Sequence, residues 1–163
     1  ILLMQNLASN PELSYKQKIR KVTQIASPKD SKIRLSQKAD LYDISVTFDM
    51  SVIKPGEKGS STEFNSINEL ERYTENLMAR LTKDIYSHFD TDKVNSLDIS
   101  CTHGVQNTWT LETETQIIYS VSIKSNIVKQ YNDWRSMPLY VISQNLKIEF
   151  NGFPNLEISK IYL

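Results

Sequence analysis

The chain has 163 residues and a mass of 18.8 kDa, with 19 basic and 19 acidic side chains and a formal net charge of zero. That length suits one domain with a core of its own, and 39% hydrophobic against 23% charged residues excludes wholesale disorder. A single cysteine excludes an intramolecular disulfide framework, and no apolar run approaches the roughly 18 residues a membrane-spanning helix needs.

The zero net charge conceals a division. Residues 1–39 hold eight basic and two acidic side chains, net +6; residues 40–114 hold six and fourteen, net −8; the remainder adds +2. A basic arm beside an acidic body suits an anionic partner, a membrane surface, or the body itself with the arm folded across it. Its plainest role is a solvated helix face. Four glycines, scattered at 56, 59, 104 and 152, cannot build a dinucleotide fingerprint or a Walker loop, since both need clustered glycines beside the phosphates.

In chain order, Ile1–Met4 reads either as the first turn of a helix or as the tail of a signal or anchor segment lying upstream of residue 1. Asn10-Pro11-Glu12 predicts a helix start, and Tyr15, Ile19, Val22 and Ala26 continue it at helical spacing until Ser27-Pro28. A polar connector follows, with a short strand at Ile33-Arg34-Leu35. From Tyr42 the period becomes two: Tyr42, Ile44, Val46, Phe48, Met50 and Val52 alternate with polar residues, the pattern of a half-buried strand. Lys54 to Ser61 is a loop. Ser66-x-x-Glu69 is a capping box, and Leu70, Thr74, Leu77, Met78, Leu81, Ile85 and Phe89 then form one apolar stripe of a long helix, which Asp90-Thr91-Asp92 ends.

Two strands come next. Leu97, Ile99, Cys101 and His103 share a face in the first, and Gly104 to Asn107 reads as the hairpin turn. Trp109, Leu111, Thr113, Thr115, Ile117, Tyr119, Val121 and Ile123 share a face in the second. Residues 126–136 return to helical spacing, and Tyr140, Ile142, Leu146, Ile148 and Phe150 alternate as a further strand. Asn151-Gly152 marks a turn before a last strand at Leu156–Tyr162. The predicted class is α+β: a mainly antiparallel sheet with helices on one face, in the split β-α-β-β-α-β (ferredoxin-like) order with an added N-terminal helix and C-terminal strand. The alternative is a curved, cystatin-like or NTF2-like sheet wrapped on the long helix. Residues 1–39 would be a basic helix and connector, and 40–163 a single domain.

Cys101-x-His103 is the one pair with nucleophilic or metal-binding potential, because residues two apart on a strand point the same way. Sharing their face with Leu97 and Ile99 favours a structural role, and the second histidine of the chain, His88, stands at a helix end, so no cofactor or metal is expected. Glu112 and Glu114, with Asp98, Asp49 and Glu149 as candidate neighbours, fall on the polar face, where carboxylates stay solvated. That acidic face and its lack of aromatics disfavour nucleic acid as a ligand of the sheet. Candidate interaction residues are Lys16, Lys18, Arg20 and Lys21 on the arm, and Tyr131, Trp134 and Arg135 further on. The expected function is a non-catalytic protein-interaction or assembly domain, self-association included, belonging to an extracytoplasmic or membrane-associated bacterial envelope protein. The alternative is a small ligand-binding protein or enzyme with a pocket between long helix and sheet, using Cys101 and His103.

Overall fold

The computed structural model describes residues 2–53, 67–107, 109–131 and 133–146, and the backbone of 149–150. The chain begins with two helices, α1 (Leu2–Ala8) and α2 (Tyr15–Ala26). Ser14 Oγ accepts from the Gln17 N–H at 3.2 Å while Gln17 Oε1 accepts from the Ser14 N–H at 2.9 Å. This reciprocal capping box starts α2 at Tyr15 rather than at Pro11. Asn10 instead closes the turn between the helices, its side-chain oxygen accepting from the Glu12 N–H at 2.9 Å. The predicted apolar spacing is the one the helix buries, with Ile19 and Val22 fully enclosed.

Strand β1 (Lys32–Lys38) forms an antiparallel hairpin with β2 (Leu41–Asp49), closed at Ala39, whose φ is 54°. The buried positions of β2 are Tyr42, Ile44, Val46 and Phe48, as the alternation predicts. Helix α3 (Ile67–His88) then carries the chain over to β3 (Val94–Gln106), which pairs with β2 in parallel. A parallel neighbour requires such a crossover, because no tight turn can reverse the chain direction twice. Within the stripe of α3, Thr74 and Thr82 are also fully buried; their hydroxyls donate to the carbonyls of Leu70 and Met78, each at 2.7 Å, so neither is left unsatisfied. Ser66, the predicted cap of α3, and the 54–61 loop lie outside the described residues.

Strand β4 (Thr113–Lys124) returns antiparallel to β3, and β5 (149–150) makes a short bridge to it at Tyr119 and Ser120. The strands thus lie in chain order, β1-β2-β3-β4-β5, in a mixed α+β sheet. The sheet is mainly antiparallel, as the sequence predicts, with β2–β3 as its one parallel pair among the described strands. The split order is corrected: a split unit inserts another strand between the two that flank the long helix, whereas here β3 lies directly against β2. Tyr15 of α2 stacks on Tyr42 of β2 at 5.8 Å and meets Phe89, just past α3, edge-on at 5.7 Å, so both helices cover the same apolar face. The opposite face carries Asp43, Ser45, Thr47, Asp98, Ser100 and Ser120, all partly exposed.

Three expectations along the second half are corrected. The strand predicted across 140–150 is instead a helix, α5 (Leu139–Asn145), with Pro138 as its N-cap; Leu139, Ile142 and Leu146 face the core at helical spacing, and of the described residues in that range only 149–150 are extended. The helix predicted over 126–136 shrinks to one turn, α4 (Ser125–Val128), because Asp133 builds a separate turn by accepting from the Arg135 and Ser136 N–H groups. Finally, β3 runs through Gly104 to Gln106, which moves the hairpin turn to Asn107 and beyond. A bulge at Ile118, between the pairs Cys101–Tyr119 and Thr102–Ile117, then shifts the alternation of β4. Tyr119, Val121 and Ile123 stay on the core face, but Ile117 turns out to solvent and Ile118 is buried instead. The last predicted strand, 156–162, lies outside the described residues.

The β2–β3 register is pinned at its start by Asp43, which accepts from Ser96 Oγ at 2.6 Å and Asn95 Nδ2 at 2.9 Å beside an irregularity between Tyr42 and Asp43. Those two hydrogen bonds, the Ser96 one foremost, hold its carboxyl below the usual carboxylate range. A depressed folded-state pKa stabilises the fold above the unfolded value of about 3.9 and ceases to do so as pH falls through the folded value. Asp43→Ala is therefore expected to cost about 1–2 kcal/mol at pH 7. In urea unfolding, the gap between the variant and the parent protein should narrow in acid; a gap that stays constant down to pH 2 would refute this account.

Candidate functional site

Cys101 and His103 lie as predicted on one face of β3, and that face is the core. Cys101 is fully enclosed and His103 is 3% exposed. Burial pushes the thiol up to about 12, against smaller opposing effects from the Tyr119 backbone and the Thr74 side chain. At neutral pH the sulfur is a protonated thiol, not a nucleophile. The Nδ1 of His103 lies 2.9 Å from the Gly104 carbonyl oxygen, which assigns the proton to that nitrogen. His88 is remote from both: its Nδ1 donates to the Asp84 carbonyl at the C-terminal end of α3, by the start of β2, while Cys101 pairs with Phe48 near the end of β2. Among the described residues, no three His, Cys, Asp or Glu side chains come together as a metal site.

The carboxylates are dispersed as well. Glu114 sits opposite Val105 and Asp98 opposite Ser122, so roughly 26 Å of extended strand separates the two positions. The arm residues Lys16, Arg20 and Lys21 are exposed and Lys18 half-buried, around the buried Ile19 and Val22. No described helix is long and apolar enough to cross a membrane.

Tyr131, Trp134 and Arg135 do come together, against the last turns of α3. The Trp134 ring lies 5.6 Å from Tyr86 and 5.4 Å from Tyr131, the second an edge-on contact. Arg135 Nε donates to the Ser87 carbonyl at 3.0 Å, and Lys83 Nζ to the Met137 carbonyl at 2.7 Å. Trp134 is 9% exposed, and its Nε1–H has no acceptor among the described residues. It lines an apolar pocket of about 70 Å³ with Val121, Ile123, Met137, Ile142 and Leu146. This pocket lies at the flank of the sheet, between β4 and α4–α5, away from Cys101. Its size suits part of one large apolar side chain, well below the several hundred Å³ of a typical small-molecule site.

A second feature escaped the sequence reading. β2 ends opposite Thr102, but β3 and β4 continue together past it as a two-stranded ribbon. At its tip Trp109 is 84% exposed and Leu111 66%. The turn that holds them is well made. Asn107 Oδ1 accepts from the N–H groups of Trp109 and Thr110 at 2.8 and 3.1 Å, its N–H donates to the Glu112 carbonyl at 2.8 Å, and its carbonyl accepts from Leu111. Gln106 Nε2 donates to the Leu111 carbonyl at 3.1 Å. Leu111 itself takes a left-handed φ of 62°, a strained conformation for a leucine. The legible signal was Asn107 as a turn-former with Thr110 behind it; the period-two pattern of apolar residues through 109–123 masked it.

Comparison with protein families, with curated proteins and with solved structures finds no match.

The enclosed thiol gives a direct check. With a disulfide reagent at pH 8, Cys101 is expected to react only as fast as the protein unfolds and at once in denaturant. Rapid stoichiometric labelling of the native protein would contradict the burial described.

Proposed function

We propose that the protein is a non-catalytic protein-interaction or assembly domain that engages its partner through the tip of the β3–β4 ribbon. One observation carries this reading: Trp109 and Leu111 are displayed to solvent by a turn whose hydrogen bonds fix its shape. Fully burying a large apolar side chain is worth about 1.5–3 kcal/mol, and that gain is forgone at this tip in the isolated chain. Tryptophan is the residue type most enriched among binding hot spots. A turn already ordered spares the entropy a floppy loop would lose on binding. The left-handed Leu111 adds to the same picture, since strain held by surrounding hydrogen bonds gathers where a side chain must be presented in one direction.

A photo-crosslinking residue placed at Trp109, in the cells that make the protein, is expected to give a discrete protein adduct that the same residue at Asp40, an exposed turn position, does not give. Equal labelling at the two positions would sink the reading.

Leu111→Gly separates presentation from stability. It removes both the strain and the apolar group, so the variant should be as stable as the parent or more so by about 0.5–1 kcal/mol, yet lose most of the Trp109 adduct. A variant equally stable with an undiminished adduct would show that Leu111 takes no part.

A further inference from the structure

We infer that a cleft between the end of α2 and the middle of α3 binds a small anion with an apolar body, of which a short-chain carboxylate is the simplest example. The inference is independent of the ribbon tip, since no residue of β3, β4 or the turn between them lines the cleft. Its volume is about 350 Å³, against about 70 Å³ at Trp134, which brings it within the range of small-molecule sites.

The sequence opens this cleft. α2 stops at Ala26 because Pro28 follows, and Ser27 leaves the helix in an extended conformation. Ala26 carries only a methyl group at the last helical position, so the gap to α3 is not filled from this side. On the facing side, Tyr73, Leu77 and Arg80 recur at i, i+4 and i+7, one flank of α3 beside its buried stripe. Ile53, just past a 3-10 turn at Met50–Val52, completes the lining. Ala26, Pro28, Ile53, Tyr73 and Leu77 are all half-buried, so each keeps apolar surface that the fold's own packing leaves uncovered and a ligand can cover.

Charge decides the class of ligand. Two cations, Lys29 and Arg80, line the cleft and no carboxylate does. Both are exposed, and neither forms an ion pair among the described residues. Asp84, one turn beyond Arg80, feels its charge but stands outside the lining. Ser27 is already committed, its N–H and hydroxyl both donating to the Thr23 carbonyl. Lys29 is carried on an ordered turn, in which the Ser31 N–H and hydroxyl donate to the Pro28 carbonyl. An anion here takes charge-assisted hydrogen bonds from lysine and arginine while its apolar body lies against the walls. A second cleft, of about 400 Å³, provides the contrast: it shares Lys29 and adds Lys32, but Asp30 and Asp49 line it too, so its charges cancel.

Amide NMR titrations of the purified chain with hexanoate, 1-hexanol and hexyltrimethylammonium test the assignment. Hexanoate is expected to shift the signals of residues 26–29 and 73–80 with a Kd of about 1 mM. Hexanol should bind about tenfold more weakly, and the ammonium ion more weakly still. Lys29→Gln/Arg80→Gln changes two exposed side chains and should reduce hexanoate to the level of hexanol while leaving hexanol unchanged. Ala26→Phe fills the cleft and should abolish the binding of both, with an unfolding midpoint no lower than the parent's to confirm that it folds. Absence of hexanoate binding up to about 20 mM, shifts confined to other residues, or hexanol binding as tightly as hexanoate overturns the inference. So does hexanoate binding that the Lys29/Arg80 double variant leaves intact. Capture of the chain on phosphatidylcholine–phosphatidylserine vesicles, with no response to hexanoate, also overturns it and moves the two cations to a membrane-surface role.

Discussion

The structure depends on one strand pairing on both sides. β3 takes β2 as a parallel neighbour on one edge and β4 as an antiparallel neighbour on the other. The parallel pairing demands a crossover, which is why a long amphipathic helix lies between the two strands in sequence, and why that helix must lie over the sheet it connects. Its apolar stripe and the alternate residues Leu97, Ile99 and Cys101 of β3 then bury each other within one core. The same strand is longer than β2 requires. Beyond Thr102 it has only β4 to pair with, so the excess becomes a ribbon, and the end of the ribbon becomes the most exposed tryptophan in the described structure.

That dependence explains what the sequence revealed and what it concealed. Periodicity over many residues was decisive. The period-two run from Tyr42 placed the buried residues as far as Met50, failing at Val52, where a 3-10 turn has replaced the strand and the side chain is exposed. The stripe from Leu70 to Phe89 placed residues that are buried or, at Leu77, half-buried. Short segments failed because both periods fit them. Tyr140, Ile142 and Leu146 satisfy an alternation, but Leu139, Ile142 and Leu146 equally satisfy a helical face, and packing on α3 selects the second. Strand order was beyond local pattern altogether. Nothing in residues 41–106 states whether the strand after α3 lies beside β2 or one place away; that is settled by which edges are free to pair.

The candidate sites divide in the same manner. Cys101 and His103 were correctly placed on one face, and their neighbours Leu97 and Ile99 already argued that the face was the core. Trp134 was visible as an aromatic near an arginine, but its pocket was not, since the lining is drawn from β4, α4 and α5 across two misread segments. Trp109 was concealed by the regularity of its own surroundings. A continuous alternation from 109 to 123 implies a single straight strand, whereas β4 begins only at Thr113, which leaves Trp109 in the turn, and an inserted residue at Ile118 shifts the faces within the strand. A bulge has no reliable sequence signature. It reverses the faces of everything beyond it.

Natural sequences agree with their folds at most positions, and departures gather where a residue serves something other than stability. Here two departures fall within three residues of each other. A tryptophan remains in water although the fold has an apolar core, and a leucine accepts a backbone conformation suited to glycine. Either alone is unremarkable on a protein surface. Together, on a turn that spends the Asn107 side chain, its N–H and its carbonyl on fixing them in place, they describe a feature the fold maintains at a cost. Substituting glycine would relax the turn, and a polar residue would remove the apolar surface from water. The zero net charge fits the same logic. It cancels over the whole chain, while residues 1–39 carry +6 and the ribbon tip is acidic, so charge that is uninformative as a total acquires a direction once it is divided along the chain.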